Sequence, residues 1–361
     1  MAAVPGVSRK ERQIIDYLKT FLSTLGFGCW EDGSYRAFHG EAGNLICKIS
    51  NSGGHTKSVL LAAHVDTISL SCEKPIAKDE RVVSSDDRIL GADDRVGVTV
   101  LLEILKLIAN KKIDYPNLEI VFLVAEEVGL LGSKNLDYSL IEAKHAFNLD
   151  CSAPVGHAVI AAPSVIDFEI TFIGRDAHSA TGPEEGINAI TMASEAINQM
   201  NLPQKCGETI FNIGKIRGGD KNNIIPKQVL VTGEIRSFDA GKIDEYLKRI
   251  ETVARSVTHR FHAHFELEHH LRYDAYALSE ESLVYKIAQE AIENARLPFV
   301  PIRYLAGSDA SNFNRNHVSS INMGLGYKNN HSSQESIAVS DLTKNVEIGA
   351  RLVHTSAALI K

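Results

Sequence analysis

The 361-residue chain carries 45 acidic against 38 basic side chains, a formal net charge of −7, with 44% hydrophobic and 23% charged residues. That balance is one of an ordinary soluble globular protein, and the length exceeds what one hydrophobic core usually serves, so two domains are expected. The acidic balance and the lack of a long Lys/Arg run exclude a nucleic-acid-binding face of the usual kind. Five scattered cysteines, Cys29, Cys47, Cys72, Cys151 and Cys206, are odd in number and form no C-x-x-C pair. They argue against a disulfide framework and for a reducing compartment.

The opening MAAVPGVSRKERQIIDYL has no apolar leader-like core and reads directly into an amphipathic helix predicted over 9–25. No apolar run reaches membrane-spanning length. A cytoplasmic protein without membrane contacts is therefore expected. Strands are predicted at 44–49 and 58–63, a buried helix at 95–108, and further strands at 118–125 and 146–149. Near-continuous apolar strands alternating with helices point to a mostly parallel sheet covered on both faces.

The pattern changes near residue 165. A half-exposed strand at 166–173, a helix at 186–200, strands at 208–217 and 228–237, a helix at 241–258 and a strand at 260–269 give the order β-α-β-β-α-β. After 275 the α/β pattern returns, with a helix at 282–295, a strand at 318–323 and a last helix at 340–360. The expected architecture is an α/β domain of residues 1–164 and 275–361, its mostly parallel sheet interrupted by an inserted α+β, ferredoxin-like domain at 165–274.

Acidic residues and histidines cluster where these strands end. LLAA runs into His64-Val65-Asp66, LEIVFLVA into Glu126-Glu127, and AFNL into Asp150; the segment after the 318–323 strand reaches His331, and Asp93-Asp94 precede the buried helix. In an open α/β sheet, ligands bind beyond the carboxyl ends of the strands. An H-x-D at a strand end or an acidic pair is weak by itself. Here both pairs abut long apolar runs, where unpaired charge is costly, and several segments deliver such residues to one edge. The donor set of histidines and carboxylates suits zinc, manganese or cobalt, and its surplus of carboxylates suits two ions sharing one bridging group.

These residues resemble the two-zinc metallopeptidases that include aminoacylase and glutamate carboxypeptidase, and within them the peptidase T-like branch. The resemblance runs through AAHVDT (62–67), LGADDRVG (90–97), VAEEVGLLGS (124–133), NLD (148–150), GRDAHSATGPEEGINA (174–189), NIIP (223–226), EIR (234–236), GSDA (307–310) and His331-x-x-x-Glu335. Arg95 departs from the Lys usual after the Asp pair; its charge is retained and little effect is expected.

The resemblance implies His64 and Asp150 on one ion, Glu127 and His331 on the other, and Asp93 between them. Asp66 would orient His64 and Glu126 would be the general base. It further implies that His178 donates to the oxyanion at the active site of the partner in a homodimer formed through the lid domain. Asn223, Arg236, Gly307 and Ser308 would bind a substrate carboxylate. The histidines of HRFHAHFELEHH (259–270), by contrast, read as a solvated strand face on which His262 and His264 share a side. The activity implied is hydrolysis of an amide bond in short peptides, of the tripeptide aminopeptidase kind. An N-acyl-amino-acid deacylase, a carboxypeptidase and an inactive metal-binding scaffold are the alternatives; retention of Glu126 beside the full ligand set speaks against the scaffold.

Overall fold

The computed structural model describes residues 1–51 and 56–360. The chain divides into two compact units: Met1–Ala161 with Ala277–Tyr304 and Ser308–Lys361, and Ala162–Tyr276 with Leu305–Gly307. Among the described residues no helix is long and apolar enough to cross a membrane.

The first unit is built on an open sheet. Its strands lie in the order Cys29–Glu31, Leu45–Ile49, Asn117–Leu123, Ser58–His64, His145–Cys151, Ser319–Gly324 and His157–Ala162. The middle four are mutually parallel. Each is buried along nearly its whole length because helices cover both faces. The Ala92–Ala109 helix buries thirteen residues, among them Val96, Val98, Leu101, Leu102 and Leu105. Gly97 lies where this helix meets the sheet, and a Cβ there would run into the Leu149 carbonyl oxygen and the Asp94 carboxylate. The residues that matter most lie at the carboxyl ends of the four parallel strands. Register does part of the placing: Ala62 faces Asn148 on the next strand, so His64 and Asp150, two residues further along each, fall in one row.

The second unit is a five-stranded antiparallel sheet in the order Lys205–Cys206, Thr209–Gly218, Gln228–Ser237, Ser164–Ile173 and His264–Tyr273. The helices Ala189–Met200 and Ala240–Arg260 pack on it around Phe168, Ile170, Phe172, Val231 and Ile250. The fold class expected from the sequence is therefore the one observed.

Two details differ from the sequence reading. The predicted strand at 260–269 begins only at His264, because the preceding helix continues through Arg260 and the chain reverses at His262, whose φ is +51°. His262 and His264 consequently do not share a strand face. A small three-stranded sheet of Pro75–Lys78, Arg81–Ser84 and Ser336–Ala338 was also not expected.

Gly97→Ala should destabilise the first unit by about 1–3 kcal/mol, the usual cost of overpacking. Urea unfolding followed by circular dichroism measures it; an unchanged midpoint would contradict the close approach of helix and strand.

Candidate metal centre

Four strand ends and one helix start converge on the Asp93 carboxylate. Its Oδ1 lies 3.2 Å from His64 Nε2, which is itself 3.6 Å from Asp150 Oδ1. Its Oδ2 lies 3.3 Å from His331 Nε2, and that nitrogen is 2.9 Å from Glu127 Oε1. Two groups of donor atoms thus share one carboxylate: His64, Asp93 and Asp150, and Asp93, Glu127 and His331. Further donors steady Asp93. The Tyr327 hydroxyl donates to its Oδ1 at 3.1 Å and also reaches Asp150 Oδ1 at 3.4 Å, while the Asn330 amide donates to its Oδ2 at 2.8 Å. The Asp93–Asp94 peptide is cis.

Local backbone explains why these side chains meet. Glu335 accepts from the amides of Gly91 (2.6 Å) and Asp93 (3.0 Å), fixing the turn into the helix. Asp94 points elsewhere, accepting from the amides of Gly97 and His64. Ala125 and His331 both have positive φ, +52° and +63°, a conformation uncommon for residues other than glycine and one that clusters at functional sites. Beyond Ala125, the Glu126 and Glu127 amides donate to Asp66 Oδ1 (2.9 Å) and Oδ2 (3.2 Å).

Asp66 is fully buried and does more than orient His64. His64 Nδ1 is 3.1 Å from the Asp66 backbone oxygen and 3.4 Å from its carboxylate, an environment that places a proton on Nδ1, while Nε2 faces the Asp93 and Asp150 carboxylates. The two adjacent glutamates diverge. Glu127 is engaged by His331, whereas the Glu126 side chain makes no hydrogen bond among the described residues.

Electrostatics point the same way. Burial first, then the carboxylates of Asp93 and Glu127, push Asp150 up to about 6 against the pull of His64. Burial similarly raises Glu126 and Glu127. Hydrogen bonds to Asp93 and Glu127 raise His331 to about 10. So many buried carboxylates around two imidazoles demand added positive charge, and oxygen and imidazole donors of this kind suit divalent ions of the zinc, manganese and cobalt group.

The other residues singled out from sequence lie elsewhere. In the second unit, the Ala177–His178 and Ile224–Ile225 segments pair, with His178 opposite Ile224 and the Ser179 amide on the Asn223 carbonyl. His178 is exposed, and its Nδ1 accepts from the amides of Ala180 and Thr181. In the neutral ring the proton therefore sits on Nε2, which is left as a donor. Arg236 is committed to Glu234 through Nε and Nη2 and to the Leu305 carbonyl through Nη1. The Gly307 amide donates to the Tyr273 hydroxyl, and a Cβ on Gly307 would strike the Tyr273 ring. Ser308, in the first unit, is buried at the start of the Asp309–Arg315 helix. Cys151 is buried and its thiol is pushed up to about 12 by burial, as befits a filler. Sequence reasoning passed over Tyr327 and Asn330; their place on the segment between a parallel strand and His331 was the available signal.

The open sheet thus carries at its carboxyl edge two groups of histidine and carboxylate donors of the kind a metal-dependent hydrolase uses. Residues 44–198 match the model of peptidase family M28, and residues 160–262 match that of a peptidase dimerisation domain. A tripeptidase from Staphylococcus aureus has a superimposable structure (TM-score 0.93) at 31% identity, covering 99% of this chain and 96% of that one. Aminopeptidase PepT from Bacillus cereus follows at a TM-score of 0.90 and 29% identity over the same shares. A dinuclear metal-binding peptidase of the M20 family from Bacillus subtilis shares the fold alone, at a TM-score of 0.75 and 16% identity over 99% of this chain and 96% of that one. The chain belongs to the peptidase T-like branch of the aminoacylase and glutamate carboxypeptidase family of metallopeptidases, and is a metal-dependent hydrolase of peptide bonds.

Asp66→Asn keeps an acceptor oxygen but loses the second one and the charge. It should weaken divalent-ion retention or turnover by about 10–100-fold, as loss of a group supporting metal ligands usually does. Competition with a chelating dye reads the affinity; wild-type values for both would remove Asp66 from this role.

Proposed function

We propose that the chain is a two-metal aminopeptidase that cuts the N-terminal residue from tripeptides and similar short peptides. The names of the two most similar solved structures above support that substrate class. In this reading His64 and Asp150 hold one ion, Glu127 and His331 the other, and Asp93 lies between them, with zinc the best-suited metal and manganese or cobalt alternatives. When bound, the two ions lower the pKa of water and polarise the scissile carbonyl.

The observation that carries the mechanism is the divergence of the paired glutamates, one held by His331 and the other uncommitted. Glu126 is the general base: it takes a proton from the attacking water and passes it to the departing amine. Asp66 holds both glutamates by their amides and His64 by its far nitrogen. Residues 1–164 and 275–361 form the catalytic domain, and 165–274 the lid through which a cytoplasmic homodimer forms. The match to a peptidase dimerisation domain supports that pairing. His178, with Nε2 left as donor, serves the oxyanion at the partner subunit's centre. Asn223, Arg236, Gly307 and Ser308 bind the substrate carboxylate; Arg236 and Gly307 do so only by releasing Glu234 and Tyr273.

Two experiments test this reading. Glu126→Gln should retain two equivalents of metal yet lose at least about 100-fold in kcat, the weight of a general base; near-wild-type turnover would refute the role. Chelation should abolish activity, and zinc, manganese or cobalt should restore it on addition of two equivalents. The restored protein, offered free and N-acylated di- and tripeptides, should cleave only behind a free amino terminus when products are read by mass spectrometry. Cleavage of acylated substrates alone would instead identify a deacylase.

A further inference from the structure

The residues that lead into the first helix include Ser8 and Glu11, and the structure places these two side chains against Asp66 and the Ala125 amide. Glu11 is fully buried at the cap of the Arg12–Thr24 helix, and Ser8 is half-buried. The segment is laid along the loop that follows His64: the Thr67 amide donates to the Gly6 carbonyl at 2.9 Å, and the Ser8 amide to the Thr67 carbonyl at 3.1 Å. Arg95 holds it from below, its Nη2 donating to the Val4 carbonyl at 3.2 Å. The chain then reverses at Arg9, whose φ is +68°.

We propose that Ser8 and Glu11 are positioning residues for the turn that carries Glu126 and Glu127. The inference rests on the roles given to those two glutamates above. Three successive amides of that turn end on carboxylates from distant parts of the chain: Ala125 on Glu11 (3.1 Å), Glu126 on Asp66 Oδ1 (2.9 Å) and Glu127 on Asp66 Oδ2 (3.2 Å). The Ser8 hydroxyl donates to that same Oδ2 at 2.7 Å. Ser8 therefore fixes the rotation of the carboxylate that aims both glutamates, and Glu11 fixes the residue at which the chain turns. A buried carboxylate is an expensive way to fill a core position, and one oxygen of Glu11 has no hydrogen-bond partner among the described residues. Stability alone would favour an apolar residue there. Its Oε1 accepts both the Arg9 amide at 2.5 Å and the Ala125 amide, so the acid here joins the reversal at Arg9 to the turn at Ala125.

The test compares variants that remove each contact with variants that keep it, all loaded with metal. Ser8→Ala should lower kcat for a tripeptide about tenfold with KM changed by less than about twofold, and Ser8→Thr should recover most of the rate. Glu11→Ala should behave like Ser8→Ala, and Glu11→Gln, which keeps an acceptor oxygen, like Ser8→Thr. With cobalt in the site, the visible absorption of Ser8→Ala should differ from wild type, since Glu127 shifts. Should Ser8→Ala fail to fold, Ser8→Thr and Ser8→Val make the same comparison at matched volume. Wild-type kcat in both alanine variants, beside an inactive Glu126→Gln, overturns the proposal and leaves the glutamate roles intact. Loss of rate that Thr and Gln do not recover, in step with lowered melting temperature, also overturns it. An active Glu126→Gln instead removes the reading on which the proposal stands.

Discussion

A charge taken out of water is tolerated only where hydrogen bonds replace the hydration it has lost, and the Asp66 carboxylate is the point at which this protein meets that condition most fully. Burial opposes its charge, yet hydrogen bonds from His64, Ser8 and the Glu126 amide outweigh burial and hold the carboxyl below its ordinary value. The same bonds tie together three segments far apart in the chain. The loop after one parallel strand supplies the carboxylate, and the loop after its neighbour supplies the amides. Parallel pairing brings the two strand ends side by side, with His64 opposite Leu123, but sets nothing beyond them. Asp66 converts adjacency of strands into a fixed arrangement of side chains.

The acids of the centre fall into two kinds by what they accept. Asp66, Asp94 and Glu335 take backbone amides, and each thereby shapes a loop. Asp93, Asp150 and Glu127 take no backbone amide through their side chains and turn instead toward His64 and His331. The first kind spends its lone pairs on the chain. The second faces the imidazoles and each other, and burial pushes Asp150 and Glu127 upward because protein donors do not fully compensate them. Asp309 shows the limit of compensation by neutral groups: Ser133 donates to one oxygen, the other has no partner, and burial raises the carboxyl to about 7.

Three of the four parallel-strand ends were legible in sequence because each is an apolar run stopped by an acid or histidine, a pattern that backbone periodicity and the cost of buried charge jointly explain. LLAA before His64 and LEIVFLVA before Glu126 left little freedom in where the edge of the sheet lay. What a pattern of residue types cannot carry is the partner of each amide. Glu11 sits among Arg9, Lys10 and Arg12 and looks like one more solvated charge, although it is fully buried. Tyr327 carries no formal charge to draw attention, and its hydroxyl matters only because a helix start and a strand end place Asp93 and Asp150 within its reach. The strand at 260–269 was mistaken at its start for a related reason: alternation in HRFHAHFELEHH fits a strand, but the buried stripe of Ile250, Val253, Ala254 and Val257 keeps the helix going to Arg260.

Two neighbouring glutamates serving separate tasks pose a geometric problem, since residues in a regular strand alternate faces and only one of the pair would meet a given site. The strand pattern ends before them: Leu123 is its last residue, and Ala125 adopts a left-handed conformation. From that reversal, both following amides point back to Asp66, one to each oxygen, which leaves the side chains to project outward along different directions. Glu127 then reaches His331 while Glu126 stays uncommitted. The divergence of the two glutamate side chains thus traces to the two oxygens of one buried carboxylate. Any change that rotates that carboxylate must move both glutamates together, so the placement of Glu126 and that of Glu127 are one structural property.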